Sequence, residues 1–301
     1  MKYAIMSDVH ANPKALDAAL ADARRLGCEK FILLGDVTGY GYDPKGALEI
    51  VRKNFDVVLM GNHDSACVGL EPDWEVVANN NYDLDRDARA LLTEEEIAWL
   101  RGRDYLHEED GFVCAHGDFT QPKMWNYILY IDSAERNFSS CAEELMFCGH
   151  THAAAIWEQT AKGKCRQKRE KRFKRPATRS ESVSFRVNPT SRYIVNVGSV
   201  GYPRNDLCCS YGIYDTAARR VTVRRLPFDF QSYILGMLDR KLQLPGWLLR
   251  LLLAVRATYS KESAENDNSG KLFKILIAKN TDMLDGRVVH GWRRGGTRLQ
   301  A

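Results

Sequence analysis

The sequence predicts a mixed α/β (α+β) fold: one sheet with helices on its faces and a second sheet packed against it. Three observations predict this. Over the first 150 residues short apolar runs alternate with segments of helical period, the βαβα order of a layered domain. Beyond residue 150 the texture changes to short strand-like runs. The chain of 301 residues is 45% hydrophobic and 27% charged, enough apolar material for one large core plus appendages.

In order along the chain, Lys2–Ser7 reads as a short apolar strand. Asn12-Pro13 supplies a cap and a first-turn proline for a helix. Leu16, Ala19, Leu20, Ala23 and Leu26 mark its buried face, and Gly27 closes it. Phe31–Leu34 is a second strand, apolar throughout as a strand buried on both faces should be. Asp43-Pro44 opens a helix to about Asn54, and Asp56–Met60 is a third strand. Thr93-Glu94-Glu95-Glu96 is a capping box for a helix ending near Gly102. Phe112–Ala115 and Leu145–Cys148 are further strands. Ala154–Glu158, Ser182–Val187, Tyr193–Val197, Ser210–Tyr214 and Arg220–Leu226 form the second sheet. Residues 161–181 are basic and read as an exposed loop. From Phe228 onward two helices are expected, Phe230–Lys241 and Trp247–Tyr259, then a polar linker at 260–270 and a disordered end, Gly291–Ala301. The chain thus divides into a domain at 1–227 and a helical extension at 228–301.

Charge and cysteine usage narrow the function classes. The net charge is +4, yet residues 162–186 alone hold eleven Lys/Arg and two Glu. The remainder is therefore acidic by about five charges, so the basic character belongs to one segment. That segment admits a nucleic-acid partner, but its lone Phe173 lacks the interleaved aromatics that stack on bases, and a solvated loop is the plainer reading. The eight cysteines form no Cys-x-x-Cys pair, which disfavours a zinc-cysteine site and fits thiols in a reducing cytosol. Met1–Met6 is too short for a secretory core. Leu244–Val255 is too short to span a bilayer and carries Arg250. A cytoplasmic protein without an integral membrane segment is expected; the oligomeric state stays open. His107 and His290 read as surface histidines, and Cys208-Cys209 as packing at a strand start.

The chemistry gathers at strand ends, where layered folds place it. Ser7-Asp8-Val9-His10 follows the first strand, Gly35-Asp36 the second and Gly61-Asn62-His63-Asp64 the third. His116-Gly117 and Gly149-His150-Thr151-His152 follow the next two. Asp8 and His10, like His150 and His152, are two apart, so both side chains of each pair can point one way from an extended segment. Two divalent cations close together repel and need an anionic ligand between them. Asp36, on a central strand, is the candidate. Imidazoles and carboxylates suit borderline transition metals, and Asn62 adds a neutral oxygen.

Taken in order, these five motifs resemble the full signature of the calcineurin-like metallophosphoesterases, over roughly residues 1–226. The resemblance implies a four-layer αββα sandwich and a dinuclear centre of two divalent metal ions, manganese first, with iron, zinc, nickel and cobalt as alternatives. It implies that Asp8, His10 and His152 hold one metal, that Asn62, His116 and His150 hold the other, and that Asp36 bridges. It implies a bridging hydroxide as nucleophile, with His63 contacting the phosphate and assisting the leaving oxygen, and Asp64 orienting this region.

One departure sorts the branches of the family. Members acting on phosphoproteins and dinucleoside tetraphosphates carry Gly-Asp-x-x-Asp-Arg-Gly at the second motif. Here it reads Gly35-Asp36-Val37-Thr38-Gly39-Tyr40-Gly41, so a guanidinium fork suited to a dianionic phosphate is missing. That favours a phosphodiesterase over a phosphomonoesterase of nucleotides, small molecules or phosphoproteins. A nuclease recruited by the basic loop and a metal-bound scaffold without turnover are the remaining readings. The segment Asn196–Arg204 resembles the small prokaryotic-type phosphodiesterases, where it lies near the active site. Arg204 is accordingly the candidate to bind substrate and replace the missing charge.

Overall fold

The computed structural model describes residues 1–70, 87–168, 179–204 and 208–242. The helix expected at Trp247–Tyr259, the linker at 260–270, His290 and the chain end fall outside the described residues, as does 169–178 of the basic segment.

The helices form where their caps say they should. α1 (Pro13–Arg25) starts as Asn12 Oδ1 accepts from the Ala15 amide, and α2 (Pro44–Asn54) as Asp43 caps Gly46. α4 (Glu94–Arg101) carries the reciprocal Thr93–Glu96 box. α3 (Asn62–Val68), α5 (Ile131–Ser140) and α6 (Phe230–Asp239) are further helices.

Two six-stranded sheets stack. The first orders β3 (Val57–Val58), β2 (Lys30–Leu33), β1 (Lys2–Met6), β11 (Cys208–Asp215), β12 (Arg220–Pro227) and β9 (Glu181–Arg186). β1, β2 and β3 run parallel, and β11 turns the sheet antiparallel. The second orders β4 (Leu106–Glu109), β5 (Phe112–Ala115), β6 (Leu145–Cys148), β10 (Arg192–Asn196), β7 (Ala155–Gln159) and β8 (Cys165–Gln167). Alternation along the second sheet separates two cores. Phe112, Phe147, Tyr193 and Val195 face the first sheet, where Ile5, Ile32, Tyr214 and Val223 meet them. Val113, Met146 and Ile194 face the other way, onto Ala134 and Phe138 of α5. The result is the expected four layers, helices outside and two sheets within, but the strands after residue 150 do not form the second sheet by themselves: β9, β11 and β12 extend the first sheet, while β7, β8 and β10 join β4, β5 and β6.

Several expectations need correction. The third strand, expected at Asp56–Met60, contracts to Val57–Val58. β4 and α5 appear where no element was expected. The basic segment is not loop throughout: β8 pairs with β7 and buries Cys165, because Glu158 on β7 meets Arg166 at 2.7 Å and Lys168 at 3.8 Å across the pair. α6 lies inside the first compact unit, Met1–Leu242. Tyr233, Ile234 and Met237 are buried, so the chain stays packed beyond the boundary expected at 227. No described helix is long and apolar enough to cross a membrane. His107 lies on β4 beside Glu109, and Cys208-Cys209 opens β11.

One polar staple fastens α1 to the first sheet. Asp22 accepts both Arg224 Nε (2.9 Å) and Nη2 (3.0 Å), and the Tyr211 hydroxyl at 2.7 Å. Burial opposes the charge on Asp22, but the Arg224 guanidinium and Tyr211 hydroxyl hold its carboxyl below the ordinary range. Because the folded pKa is depressed, this stability is present at neutral pH and lost as pH falls through the carboxylate range. Asp22→Ala strands a buried guanidinium and is expected to cost about 3 kcal/mol, read as a lower urea midpoint. An unchanged midpoint would show that the staple contributes nothing net.

Candidate metal centre

The strand ends of both sheets converge. Asp8 and His10 follow β1, Asp36 follows β2, Asn62 and His63 open α3 beyond β3, His116 follows β5, and His150 and His152 follow β6. All are buried. Gly35 has φ of +118°, and a Cβ there would lie 2.5 Å from the Gly61 nitrogen. Only glycine lets these two loops touch and bring Asp36 beside Asn62.

Two donor groups form, and they share one carboxylate. Asp8, His10, Asp36 and His152 make the first; Asp36, His116 and His150 make the second. His152 Nε2 is 3.2 Å and His10 Nε2 3.6 Å from Asp8 Oδ1. Asp36 Oδ2 lies 3.6 Å from His10 Nε2 and 3.3 Å from His116 Nε2. His116 Nε2 is 3.1 Å from Asn62 Oδ1 and 3.2 Å from His150 Nδ1.

Proton counting says what fits between them. His10 Nδ1 donates to the Thr38 carbonyl (2.9 Å) and His152 Nδ1 to the Tyr202 carbonyl (2.8 Å). A carbonyl only accepts, so each Nδ1 carries the hydrogen and each ring turns its Nε2 inward. Those two Nε2 atoms face each other at 3.0 Å. Asp8 Oδ1 and Asp36 Oδ2 are buried beside them with no hydrogen-bond partner among the described residues. Imidazole nitrogens and carboxylate oxygens converging on one point could hold a cation, and this donor chemistry fits borderline divalent metals.

The electrostatics of His10 and His150 agree. Burial depresses His10 to about 4 and His150 to about 3, keeping both imidazoles neutral and ready to ligate. Burial also opposes charge on Asp36, but His116 and His63 hold its carboxyl well below the usual range. His116 titrates at about 9, since the Asp36 carboxylate outweighs the burial that disfavours its charge.

The loops are locked from behind. Asp8 Oδ2 accepts the His150 amide and Asp36 Oδ1 the His63 amide, each at 2.9 Å. Asp64 faces away from the donors. It accepts the amides of Val37, Thr38 and Gly61, so it ties the β2 loop to α3. Burial and the nearby Asp36 raise it to about 6. Asn196 donates to the Gly149 carbonyl at 2.6 Å, and Ser199 to the Asp8 carbonyl at 2.8 Å. Asp8, His10, Asp36, His150 and His152 all adopt left-handed backbone, with φ between 46° and 64°. That conformation is costly for residues with a Cβ.

An aromatic wall was not foreseen in the sequence. Tyr40 stacks on Tyr202 at 4.4 Å and touches His63 at 4.4 Å. The loop carrying Tyr40 is held by α6: the Tyr233 hydroxyl donates to the Tyr40 carbonyl at 3.0 Å. Arg204 lies over the Tyr40 ring at 6.0 Å.

A two-sheet sandwich whose strand ends gather shared carboxylate and imidazole donors defines a metal-dependent hydrolase of phosphoric esters. The sequence matches the calcineurin-like phosphoesterase superfamily domain over residues 1–219, and the chain belongs to that family. It is 27% identical over 262 residues to the uncharacterized protein MJ0912 of Methanocaldococcus jannaschii, covering 81% of this chain and 94% of that one. The crystal structure of a metallophosphoesterase from Sphaerobacter thermophilus superposes with a TM-score of 0.66 at 29% identity, covering 81% of this chain and 95% of the other.

Loading the donors with manganese is expected to stabilise the fold. At a hundredfold excess over Kd the gain is about 2.7 kcal/mol, or roughly 5–10 °C in Tm for a domain of this size. Calorimetric scans with manganese and then with a chelator would show it; coincident scans would argue against a built metal site.

Proposed function

We propose that this protein is a cytoplasmic phosphodiesterase whose donors hold two divalent cations, manganese foremost. The shared carboxylate carries the reading: Asp36 belongs to both donor groups. Asp8, His10 and His152 would hold one cation, and Asn62, His116 and His150 the other, with Asp36 between. When bound, the cations supply positive charge that polarises the phosphoryl oxygens and makes water at the site more acidic.

The chain's own residues supply the rest. His63 is 4% exposed and packs between His10 and Tyr40, a place from which its imidazole gives a proton to the leaving oxygen. Asp64 keeps that backbone in register and touches no reacting atom. Arg204 brings one guanidinium to the wall beside His63, in place of the fork absent from the second motif. A single fixed guanidinium suits the one negative charge of a diester. The buried thiols of Cys28, Cys114, Cys148 and Cys165 support a reducing compartment.

The test uses protein stripped of metal and then given manganese. Bis(p-nitrophenyl) phosphate is expected to be hydrolysed with kcat/KM at least about tenfold above p-nitrophenyl phosphate. Arg204→Ala is expected to lower that value about tenfold, near 1.4 kcal/mol. A preference for the monoester would replace this reading with a phosphatase, and an unchanged Arg204→Ala variant would remove Arg204 from the site.

A further inference from the structure

Metal binding and packing do not account for one side of the aromatic wall. Tyr127 lies flat on His150, with ring centroids 4.3 Å apart and planes at 14°. Burial opposes the charge on Arg204, but the neighbouring Tyr40 and Tyr127 phenols hold its guanidinium above the ordinary range. Arg204 rests on Tyr40, and Tyr40 meets His63. Tyr127 and Arg204 thus stand between a metal-ligand candidate, His150, and the Tyr40 ring that meets His63.

Tyr127 differs from its neighbours in exposure. Tyr202 is 7% exposed, whereas Tyr127 is 46% exposed. A ring covered on one face by His150 and still half exposed presents its other face to solvent. Nothing in a sandwich core needs an aromatic ring in that position.

The loop that carries the ring is built, not merely draped. Asp118, 3% exposed, accepts from Thr120 Oγ1 and from Asn126 Nδ2 (3.4 Å), closing the loop on itself. Trp125 takes a left-handed φ of 53° and sets its ring edge-on to His116 at 6.0 Å. A bulky residue in that region is strained and persists only where the surroundings enforce it. Met124, 64% exposed, extends the apolar rim.

An open aromatic face beside a fixed guanidinium matches a ligand with a planar ring on one side and a phosphate on the other. Stacking of a base on such a ring is worth ~1–3 kcal/mol. We propose that Tyr127 is a specificity-determining residue: its open face stacks the planar aromatic substituent of the phosphoric ester, aryl or nucleobase, while the neighbouring Arg204 meets the phosphate. This rests on the phosphodiesterase reading and adds the substituent that reading leaves open.

Equilibrium binding tests it without turnover. Methyl phosphate, phenyl phosphate and adenosine 5′-phosphate would be titrated calorimetrically into manganese-loaded wild-type protein, Tyr127→Phe and Tyr127→Leu. Wild type is expected to bind phenyl phosphate or adenosine 5′-phosphate at least about tenfold more tightly than methyl phosphate. Preference for phenyl phosphate places the ring directly on the ester; preference for the nucleotide places it a ribose away. Tyr127→Phe should keep the preference, and Tyr127→Leu should bring the ratio near one. Reading a ratio cancels any general loss from disturbing Arg204, and thermal unfolding checks that the leucine variant is folded. A preference that survives in Tyr127→Leu, or a wild-type protein that binds all three alike or none, overturns the proposal. Diester hydrolysis is scored separately: a protein that prefers the aromatic ligand but cleaves no diester keeps Tyr127 as a stacking residue and loses the phosphodiesterase reading.

Discussion

Asp36→Asn is expected to lower metal-dependent hydrolysis by about three orders of magnitude, near 4 kcal/mol of barrier. The substitution keeps the side-chain shape and leaves an oxygen for the His63 amide that Asp36 now accepts. It replaces the buried, unpartnered Oδ2 with an amide nitrogen. That nitrogen donates, and it repels a cation where the carboxylate attracted one. Bound metal per chain should fall from two to one, as elemental analysis of the dialysed protein would show. Two metals with full activity would mean that Asp36 is not the shared ligand, and the two-cation reading would fall with it.

His63→Ala is expected to lower kcat by about 10²–10⁴-fold, the range for loss of a positioned general acid. Metal content should stay at the wild-type level, since His63 belongs to neither donor group. The loss should also depend on the leaving group. A nitrophenolate departs with little help, so nitrophenyl esters should lose least and simple alkyl esters most. Equal losses on both would assign His63 to phosphate positioning rather than proton transfer. Its ring also packs on His10 and Tyr40, so a Tm comparison is needed to separate catalysis from packing.

What the sequence made legible follows from where its signals lie. Each donor loop follows a run of consecutive apolar residues, and such runs are strands buried on both faces. Layered folds put chemistry at their carboxyl ends, so Asp8, Asp36, His116 and His150 could be placed in one region before any coordinates. The capped helices were readable because Asn12, Asp43 and Thr93 carry their own start signals. α3 was not: Asn62, His63 and Asp64 are its first residues, and motif chemistry masks helical period. α5 begins just after Tyr130, whose amide is capped from within by Ser133, so no polar cap precedes it. β4 reads Leu-His-Glu-Glu, a charged edge strand without alternation. β8 hid in a basic run because its partner acid, Glu158, sits on another strand. The aromatic wall was invisible for a related reason. Tyr40, Tyr127 and Tyr202 come from three distant loops, and only the fold stacks Tyr40 on Tyr202 and Tyr127 on His150.

The left-handed backbone at the donors bears on how this chain withstands mutation. Five residues with side chains hold a conformation that glycine adopts freely. At ~1–2 kcal/mol each the strain is on the order of 5–10 kcal/mol, comparable with the whole net stability of a domain, ~5–15 kcal/mol. A lineage released from turnover would gain robustness by drifting to glycine at any of them, and selection for folding alone would push it that way. Aspartate and histidine at all five positions are what selection for metal-dependent hydrolysis, rather than for folding alone, is expected to keep.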